Sequence, residues 1–541
     1  MGGDGSDGGG FCQSGGVKRP LVVWRALVLA LWLAGMLVLG GCGTLAPRGA
    51  IERSTALPPE TTTDLGRIAH ASTPPEPGLS GFRLLPLGAY SLDARIQLAK
   101  RAQRSLDVQY YVLENDSTGR LLLRHLRDAA ERGVRVRLLV DDLYTSRSQT
   151  LLSELTAHAN VQVRLFNPFR HARESGLVGR VLANLVEVRR INHRMHNKLF
   201  IADGTMAISG GRNIADEYFM RNEQQNFIDM DTLALGDVVR QLATIFDEYW
   251  NSEVVYPLAA LVAPSGTPAQ RRQRFDAAVA DAREHTPLPA NDVLGYGPIS
   301  EDFEGGRIGL IWGPARAYAD PPDKRSKNAE DALRSSVAYD AMTTIWGAQS
   351  ELTITSPYLI PGAKGLKAFE DLAKKNVRIT LLTNSLAATD EPLVHTGYSR
   401  YREPLLRFGV DLYELSPLRT QRNKRLGMFG SSLGRLHAKT VIVDGRMVFV
   451  GSMNLDPRSA TQNTELGVFV DSPQLAKELS RVINISRLQN AYRLRLAPGG
   501  GLQWLALDES GEVVLDEEPE STFWLRLHNL LIAPFVPEQL L

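Results

Sequence analysis

The chain has 541 residues, of which 43% are hydrophobic and 22% charged, and its net charge is +1. That length exceeds what one hydrophobic core ordinarily serves, and it predicts two domains. The near-zero charge excludes polyanion binding by bulk electrostatics. The only cysteines, Cys12 and Cys42, lie in the N-terminal segment and exclude a disulfide within the body.

In chain order, Lys18, Arg19 and Arg25 precede an apolar run from Ala26 to Leu39, closed by Leu39, Gly40, Gly41 and Cys42. A basic start, a short apolar stretch and small residues predict a secretory signal over residues 1–42. The alternative is an uncleaved membrane helix from Pro20 to Gly41. Residues 43–80 are rich in Pro, Thr and Ser and predict a flexible tether. Apolar patterning then gives a strand at Ser105–Leu113, a helix at Thr118–Arg132 and a strand at Val134–Asp142. The same order returns at Glu351–Pro361, Gly362–Lys375 and Val377–Ser385, with Val377 lying 243 positions after Val134. Such a repeat predicts an α/β fold of two pseudo-symmetric lobes with mixed, largely parallel sheets. The lobes are expected at 81–262 and 306–497. A connector at 263–305 carries one helix-like run, Pro268–Arg283, and a C-terminal tail at 498–541 has a turn at Glu509–Gly511 and an apolar run, Phe523–Phe535.

Within each lobe a spacing recurs. His196, Lys198 and Asp203 follow the pattern H-x-K-x4-D, and His437, Lys439 and Asp444 repeat it 241 positions later. Gly210 and Asn213 follow the first histidine at the spacing with which Gly451 and Asn454 follow the second. One bare copy would arise by chance in roughly one chain in a few tens of this length, and two copies with Gly and Asn in step are far rarer. Each motif runs into a short apolar stretch that ends at an Asp-Gly turn, which is a strand signal. On a strand, residues two apart share a face, so each lysine points the same way as its histidine. An ammonium beside an imidazole suits an oxyanion. A metal site using His193, His196 and Asp203 is the competing use, but Lys198 would repel the ion there.

These residues resemble the phospholipase D superfamily. Gly210, Gly211, Asn213, Asp216, Glu217 and Tyr218 are similar to the bacterial cardiolipin synthases within it. The stretches Leu85–Tyr90, Asp107–Tyr111 and Asn192–His196 are most similar to the C-type cardiolipin synthases. The resemblance implies two lobes packed face to face with both histidines in one cleft. It also implies a phosphohistidine formed on His196, with His437 as acid and base; pseudo-symmetry leaves the reverse assignment open. Lys198, Lys439, Asn213, Asn454 and Ser452 are expected to bind the phosphoryl group. Each histidine needs a carboxylate on its other ring nitrogen. Glu465 matches the family residue with that role, and Asp229 is its counterpart, since position 224 is Gln. Asp203 and Asp444 are counted with the catalytic motifs, although their place at strand ends also suits an organising role. The scheme needs no metal or other cofactor.

The expected activity is phosphatidyl transfer between phospholipids at a membrane, with cardiolipin as product and no nucleic-acid partner. Hydrolysis by a phospholipase D, a nuclease and a non-catalytic lipid-binding lipoprotein are the alternatives. The ending at Cys42 resembles a bacterial lipobox, which implies lipid on Cys42 and a periplasm-facing lipoprotein, in the outer membrane of a Gram-negative cell. Two basic stretches flank the motifs, Arg170–Arg190 and Arg419–Arg425. The second runs into an apolar tip ending at Leu433, a combination suited to anionic headgroups.

Overall fold

A computed structural model describes residues 2, 48, 51–74, 76–184, 187–282, 288–324, 337–422, 432–508, 511–532 and 538. The signal segment, Cys42 and the basic loop at 423–431 therefore lie outside the described residues. Residues Ala46–Leu541 form one compact unit. Among the described residues, no helix is long and apolar enough to cross a membrane.

Two large sheets carry the repeat. The first has nine strands in the spatial order Ile311–Gly313, Ser80–Leu85, Asp231–Gly236, Met206–Gly210, Leu199–Ala202, Ser105–Tyr110, Arg135–Asp141, Val161–Phe166 and Val255–Pro257. The second has ten, ordered Ala315–Ala319, Leu466–Asp471, Met447–Gly451, Thr440–Val443, Glu351–Thr355, Arg378–Asn384, Asp411–Leu415, Ala491–Leu496, Leu502–Asp508 and Gly511–Leu515. From Asp231 to Val161 and from Leu466 to Asp411 the two orders correspond strand for strand. The two α/β lobes and their mixed sheets agree with the sequence expectation, but within the two large sheets parallel pairing is confined to the strand–helix–strand repeats, and a separate parallel pair, Gln225–Ile228 with Leu433–Leu436, joins the lobes. Hairpins such as Leu199–Ala202 with Met206–Gly210 are antiparallel because a short Asp-Gly turn can only reverse the chain, and the pairings between distant strands in these sheets are antiparallel as well.

Strand alternation builds three cores. Leu106, Val108, Phe200 and Ala202 face an outer core with the helices Gly88–Arg101 and Ser117–Glu131. Their neighbours Leu199 and Ile201 face a central core that also contains Ile442, Val448 and Val450 of the second sheet. Leu352, Ile354, Val441 and Val443 face a third core on the far side. The central core therefore belongs to both halves, and each lobe is completed by the other.

Three boundaries differ from expectation. The strands Ile311–Gly313 and Ala315–Ala319 belong to different sheets, so the chain crosses between lobes at Pro314 rather than near residue 305. Residues 51–80 do not form a free tether. Glu52 and Ser54 carbonyls accept from Arg164 and Arg137, Ala56 N–H donates to Asp247, and the helix Asp64–Ser72 buries Leu65 and Ile68. These contacts run through backbone polar groups and leave almost no apolar period in the sequence. The tail is also integral: Leu502–Asp508 and Gly511–Leu515 extend the second sheet, and Trp504 Nε1 donates to buried Glu414 at 2.8 Å.

Candidate active site

Both histidines stand just before a central strand and are almost fully buried. Their backbones are exchanged between lobes. His196 N–H donates to Thr464 O at 2.9 Å, and His437 N–H donates to Ile228 O at 2.8 Å. The next residue in each case is a carboxylate, which this pairing delivers to the imidazole. Glu465 Oε2 lies 2.9 Å from His196 Nδ1, and Asp229 Oδ2 lies 2.5 Å from His437 Nδ1. Each histidine is thus held by the other half of the chain. Nδ1 is occupied in both rings, and Nε2 is left as the nitrogen for chemistry.

The two lysines lie beside them. Lys198 Nζ donates to His196 O at 2.7 Å, and Lys439 Nζ donates to His437 O. Burial, then the nearby Lys439 charge, hold Lys198 well below its ordinary range. Burial lowers Lys439 to about 8 against the pull of Asp229. Burial likewise lowers His196 to about 4, with Glu465 opposing and Lys198 reinforcing. His437 is lowered by burial and Lys439, with Asp229 opposing. Burial works to raise Asp229 and Glu465, yet each lies below the usual carboxylate range because a histidine and a lysine face it. Two ionised carboxylates oppose the two lysines, and the histidines resist protonation chiefly because they are buried. A bound phosphodiester adds a negative charge beside them and favours the protonated forms.

The carboxylates are supported differently. Ser452 Oγ donates to Glu465 Oε2 at 2.5 Å and accepts Leu466 N–H at 3.0 Å. Ser452, expected to bind substrate, is fully buried and both its hydrogen-bonding roles are taken, so it props the carboxylate instead. At the matching Gly211, a Cβ would overlap Asp229 Oδ1. Asp229 Oδ1 accepts its neighbour Met230 N–H at 2.7 Å, and the buried Arg212 donates to Asp229 O.

Asp203 and Asp444, counted with the catalytic motifs, are not beside the histidines. Each closes the far end of its strand in the left-handed region at φ 52°. The Asp203 carboxylate accepts the N–H groups of Gln103, Arg104 and Ser105, and Asp444 accepts those of Gln349, Ser350 and Glu351. Their spacing to the histidine reflects the length of one strand. Asn213 binds within its own lobe, accepting Val112 N–H and donating to Tyr218 OH at 2.9 Å. Buried Asn454 retains a side-chain oxygen without a hydrogen-bond partner among the described residues. The competing metal set does not converge: His193 Nδ1 and Nε2 each lie 2.9 Å from a carbonyl oxygen, of Gln462 and Pro322, and Asp203 is at the strand's far end. The first basic stretch is internally paired, with Arg170 and Arg190 on Glu187 and Arg173 on Asp142.

Sequence reasoning gave no role to the aromatic rings at the site. Tyr111 meets His196 edge-on at 5.0 Å and carries the Lys198 ammonium 5.3 Å from its centroid. Tyr218 meets His437 edge-on at 5.1 Å, with Phe227 at 5.0 Å. The available signals were Tyr111 at a strand end and Tyr218 five residues after Asn213.

The family described as cardiolipin synthase, PLD-like domain, matches residues 95–250 and 342–485, which is more than half of the chain and holds both motifs. The chain belongs to the cardiolipin synthase family. It is an enzyme of the phospholipase D superfamily, whose members are phosphatidyltransferases and phosphodiesterases. Cardiolipin synthase C of Escherichia coli (strain K12) is 39% identical over 482 residues, spanning 88% of this chain and all of that protein. A cardiolipin synthase of Staphylococcus aureus (strain Mu50) is 25% identical over 399 residues, covering 73% of this chain and 64% of its own length. Among solved structures, the phosphatidylserine synthase of Haemophilus influenzae shares the fold, with a TM-score of 0.54 and 14% identity over 85% of this chain and 95% of that one.

Proposed function

We propose that this cardiolipin synthase family member transfers a phosphatidyl group between phospholipids through a covalent phosphohistidine and releases cardiolipin. The observation that carries the reading is the crossed pair of histidine–carboxylate contacts beside two buried lysines. In the first step His196 Nε2 attacks phosphorus, and the bond from phosphorus to the headgroup oxygen breaks. His437 gives its Nε2 proton to that oxygen, and the headgroup alcohol leaves. In the second step His437 takes the proton of a phosphatidylglycerol hydroxyl, whose oxygen attacks phosphorus as the phosphorus–nitrogen bond breaks. The Lys198 and Lys439 ammonium groups balance the charge on the non-bridging oxygens in both steps.

The two histidines differ in the sense this assignment needs. A group held down to about 4 stays neutral and nucleophilic. His437 faces the closer carboxylate and is the better site for a proton to rest. A bound phosphodiester offsets the lysine charges and raises both histidines, so the acid forms when substrate is present. Donor phosphatidylethanolamine or phosphatidylglycerol fits this chemistry. Attachment through a lipid on Cys42, facing the periplasm, belongs to the same reading and rests on the sequence from Leu39 to Cys42.

The test supplies the full chain with vesicles of phosphatidylethanolamine and phosphatidylglycerol and identifies products by mass. Cardiolipin is expected; phosphatidic acid alone would show that water is the acceptor. With a donor whose leaving group departs without protonation, His437→Ala should trap a phosphatidyl adduct on His196, while His196→Ala should trap none and lose about 10⁴-fold or more in rate. An adduct on His437 would reverse the assignment. Intact mass of the same preparation reads whether the chain begins at a lipid-bearing Cys42.

A further inference from the structure

Large apolar side chains exposed on the body are not spread evenly. In each lobe the connections that follow the parallel strands surround the site. Tyr111, just past Ser105–Tyr110, touches His196, and Leu359, past Glu351–Thr355, bridges Leu455 next to Asn454. Twelve large hydrophobic residues are exposed among the described residues, and eight belong to these connections or to the helix Phe523–Ile532, which packs on one of them. Of the other four, Leu488 and Leu507 lie on elements that touch the Pro417–Arg422 connection, and Tyr339 and Val514 lie elsewhere.

In the first lobe the exposed residues are Leu177, Val178 and Leu182 on the helix Leu177–Ala183, with Val178 73% exposed. That short helix is clamped from beneath. Arg180, on the same helix, is fully buried and donates to Asp142 O at 2.7 Å and Thr145 Oγ1 at 3.2 Å. The turn it grips carries Tyr144, whose ring meets Tyr111 at 5.5 Å, and Tyr111 meets His196. In the second lobe Leu393 and Leu418 are exposed on the connections after Arg378–Asn384 and Asp411–Leu415. The C-terminal helix Phe523–Ile532 packs on the helix Pro392–Ser399 and exposes Phe523, Trp524 and Leu531, with Trp524 75% exposed. Glu520, just before it, accepts from Ser416 Oγ at 2.6 Å and Leu418 N–H at 3.5 Å, which fixes the helix beside the second connection. Asp390, at the base of the Leu393 connection, accepts from Tyr358 OH at 2.8 Å. Both lobes therefore hold rigid apolar crests at the end of the sheets where the histidines sit.

We propose that these two crests form a bilayer-docking surface that seats the site on the lipid headgroup layer, with Trp524 and Val178 in the interface. The inference rests on the phospholipid reading of the same site. The occupant is a bilayer because the crests come from both lobes and flank the site whose substrate is a lipid. Trp524, whose ring centroid lies 5.6 Å from that of Phe523, also has the amphipathic indole that favours the headgroup level. The buried Arg180 and the Glu520 contacts explain how apolar residues remain presented to solvent instead of folding back.

The test uses the full chain with vesicles of phosphatidylglycerol and phosphatidylethanolamine, some carrying brominated acyl chains. The fluorescence difference between wild type and Trp524→Phe isolates that ring from the other tryptophans. Bromolipid should quench the difference signal. The paired variants Val178→Ser with Leu182→Gln, and Phe523→Gln with Trp524→Gln, should each lower vesicle turnover by about tenfold, as apolar area leaves the interface. Turnover of a monomeric short-chain phosphatidylglycerol should not change, which also reports intact folding. An unquenched Trp524 signal would overturn the proposal, as would full vesicle turnover by both variants. So would sedimentation showing that the crests pair two copies of the chain. A wild-type protein inactive on both lipid forms would sink the catalytic reading instead, and the quenching result would still decide docking.

Discussion

The two halves of the site present the same histidine–lysine pair just before the corresponding strand and then support it differently. His196 leans on a long carboxylate, Glu465, propped by the Ser452 hydroxyl. His437 leans on a short one, Asp229, which fits because Gly211 leaves room and which is steadied by a backbone N–H. The longer arm needs a prop to lose its rotational freedom, while the shorter arm needs space. Duplication conserved the contact through different means. It also made the halves unequal, as a two-step transfer requires of its nucleophile and its acid.

Among the groups that support the histidines, the largest effect should come from filling that space. Gly211→Ala places a methyl group on the Asp229 carboxylate and pushes it off His437. A displacement of about 1 Å in such a positioning group costs on the order of 10²-fold in rate. Ser452→Ala removes only one hydrogen bond to Glu465, about 1–2 kcal/mol, and should lower the rate about tenfold. Steady-state rates on phosphatidylglycerol vesicles compare the two. Equal losses would show that the supports are equivalent and remove the basis for unequal roles.

Much of this inequality was legible in the sequence, and its geometry was not. The pairs Gly211 with Ser452 and Asp229 with Glu465 could be read from the repeat, because motif spacing follows strand length. That each carboxylate serves the opposite lobe's histidine could not, because it depends on the exchange of His196 N–H with Thr464 O across a shared core. Ser452 was misplaced for a related reason: a serine next to the site has the same letter whether it meets substrate or carboxylate. The docked segment at 51–80 was missed because its contacts are carbonyls offered to buried arginines, which leave no pattern of apolar residues.

The pH profile sharpens the comparison. His196 must be neutral to attack, so kcat/KM should fall as pH drops through about 4, where its imidazole gains a proton. His437 must carry a proton to serve as the acid, and burial and Lys439 hold it below its ordinary value, so the same quantity should fall as pH rises past that depressed value, with a further fall through about 8 where Lys439 loses its charge. Glu465 raises the His196 value, and Glu465→Gln removes that anion, so the acid limb should move to lower pH while the alkaline limb stays. An alkaline limb that moves to lower pH, with the acid limb unmoved, would show that His196 acts as the protonated member.

The two aspartates that close the motifs offer the smallest effect, in stability rather than rate. Asp203 and Asp444 each collect three backbone N–H groups, but Asp203 is fully buried and Asp444 stands partly in solvent. Removing a buried acceptor leaves donors unpaired, at about 1–3 kcal/mol, whereas water reaches donors near the surface. Asp203→Ala should therefore lower the unfolding midpoint more than Asp444→Ala, as read by thermal denaturation. Burial opposes the charge on Asp444, yet its backbone donors hold its carboxyl below the ordinary value. Its stabilisation is present above the ordinary carboxylate range and is lost as pH falls through the depressed folded value. The midpoint difference between wild type and Asp444→Ala should accordingly narrow in acid. Because neither carboxylate reaches a histidine, both variants should retain near wild-type turnover at temperatures where they remain folded; a rate loss like that of His196→Ala would return these residues to the chemistry.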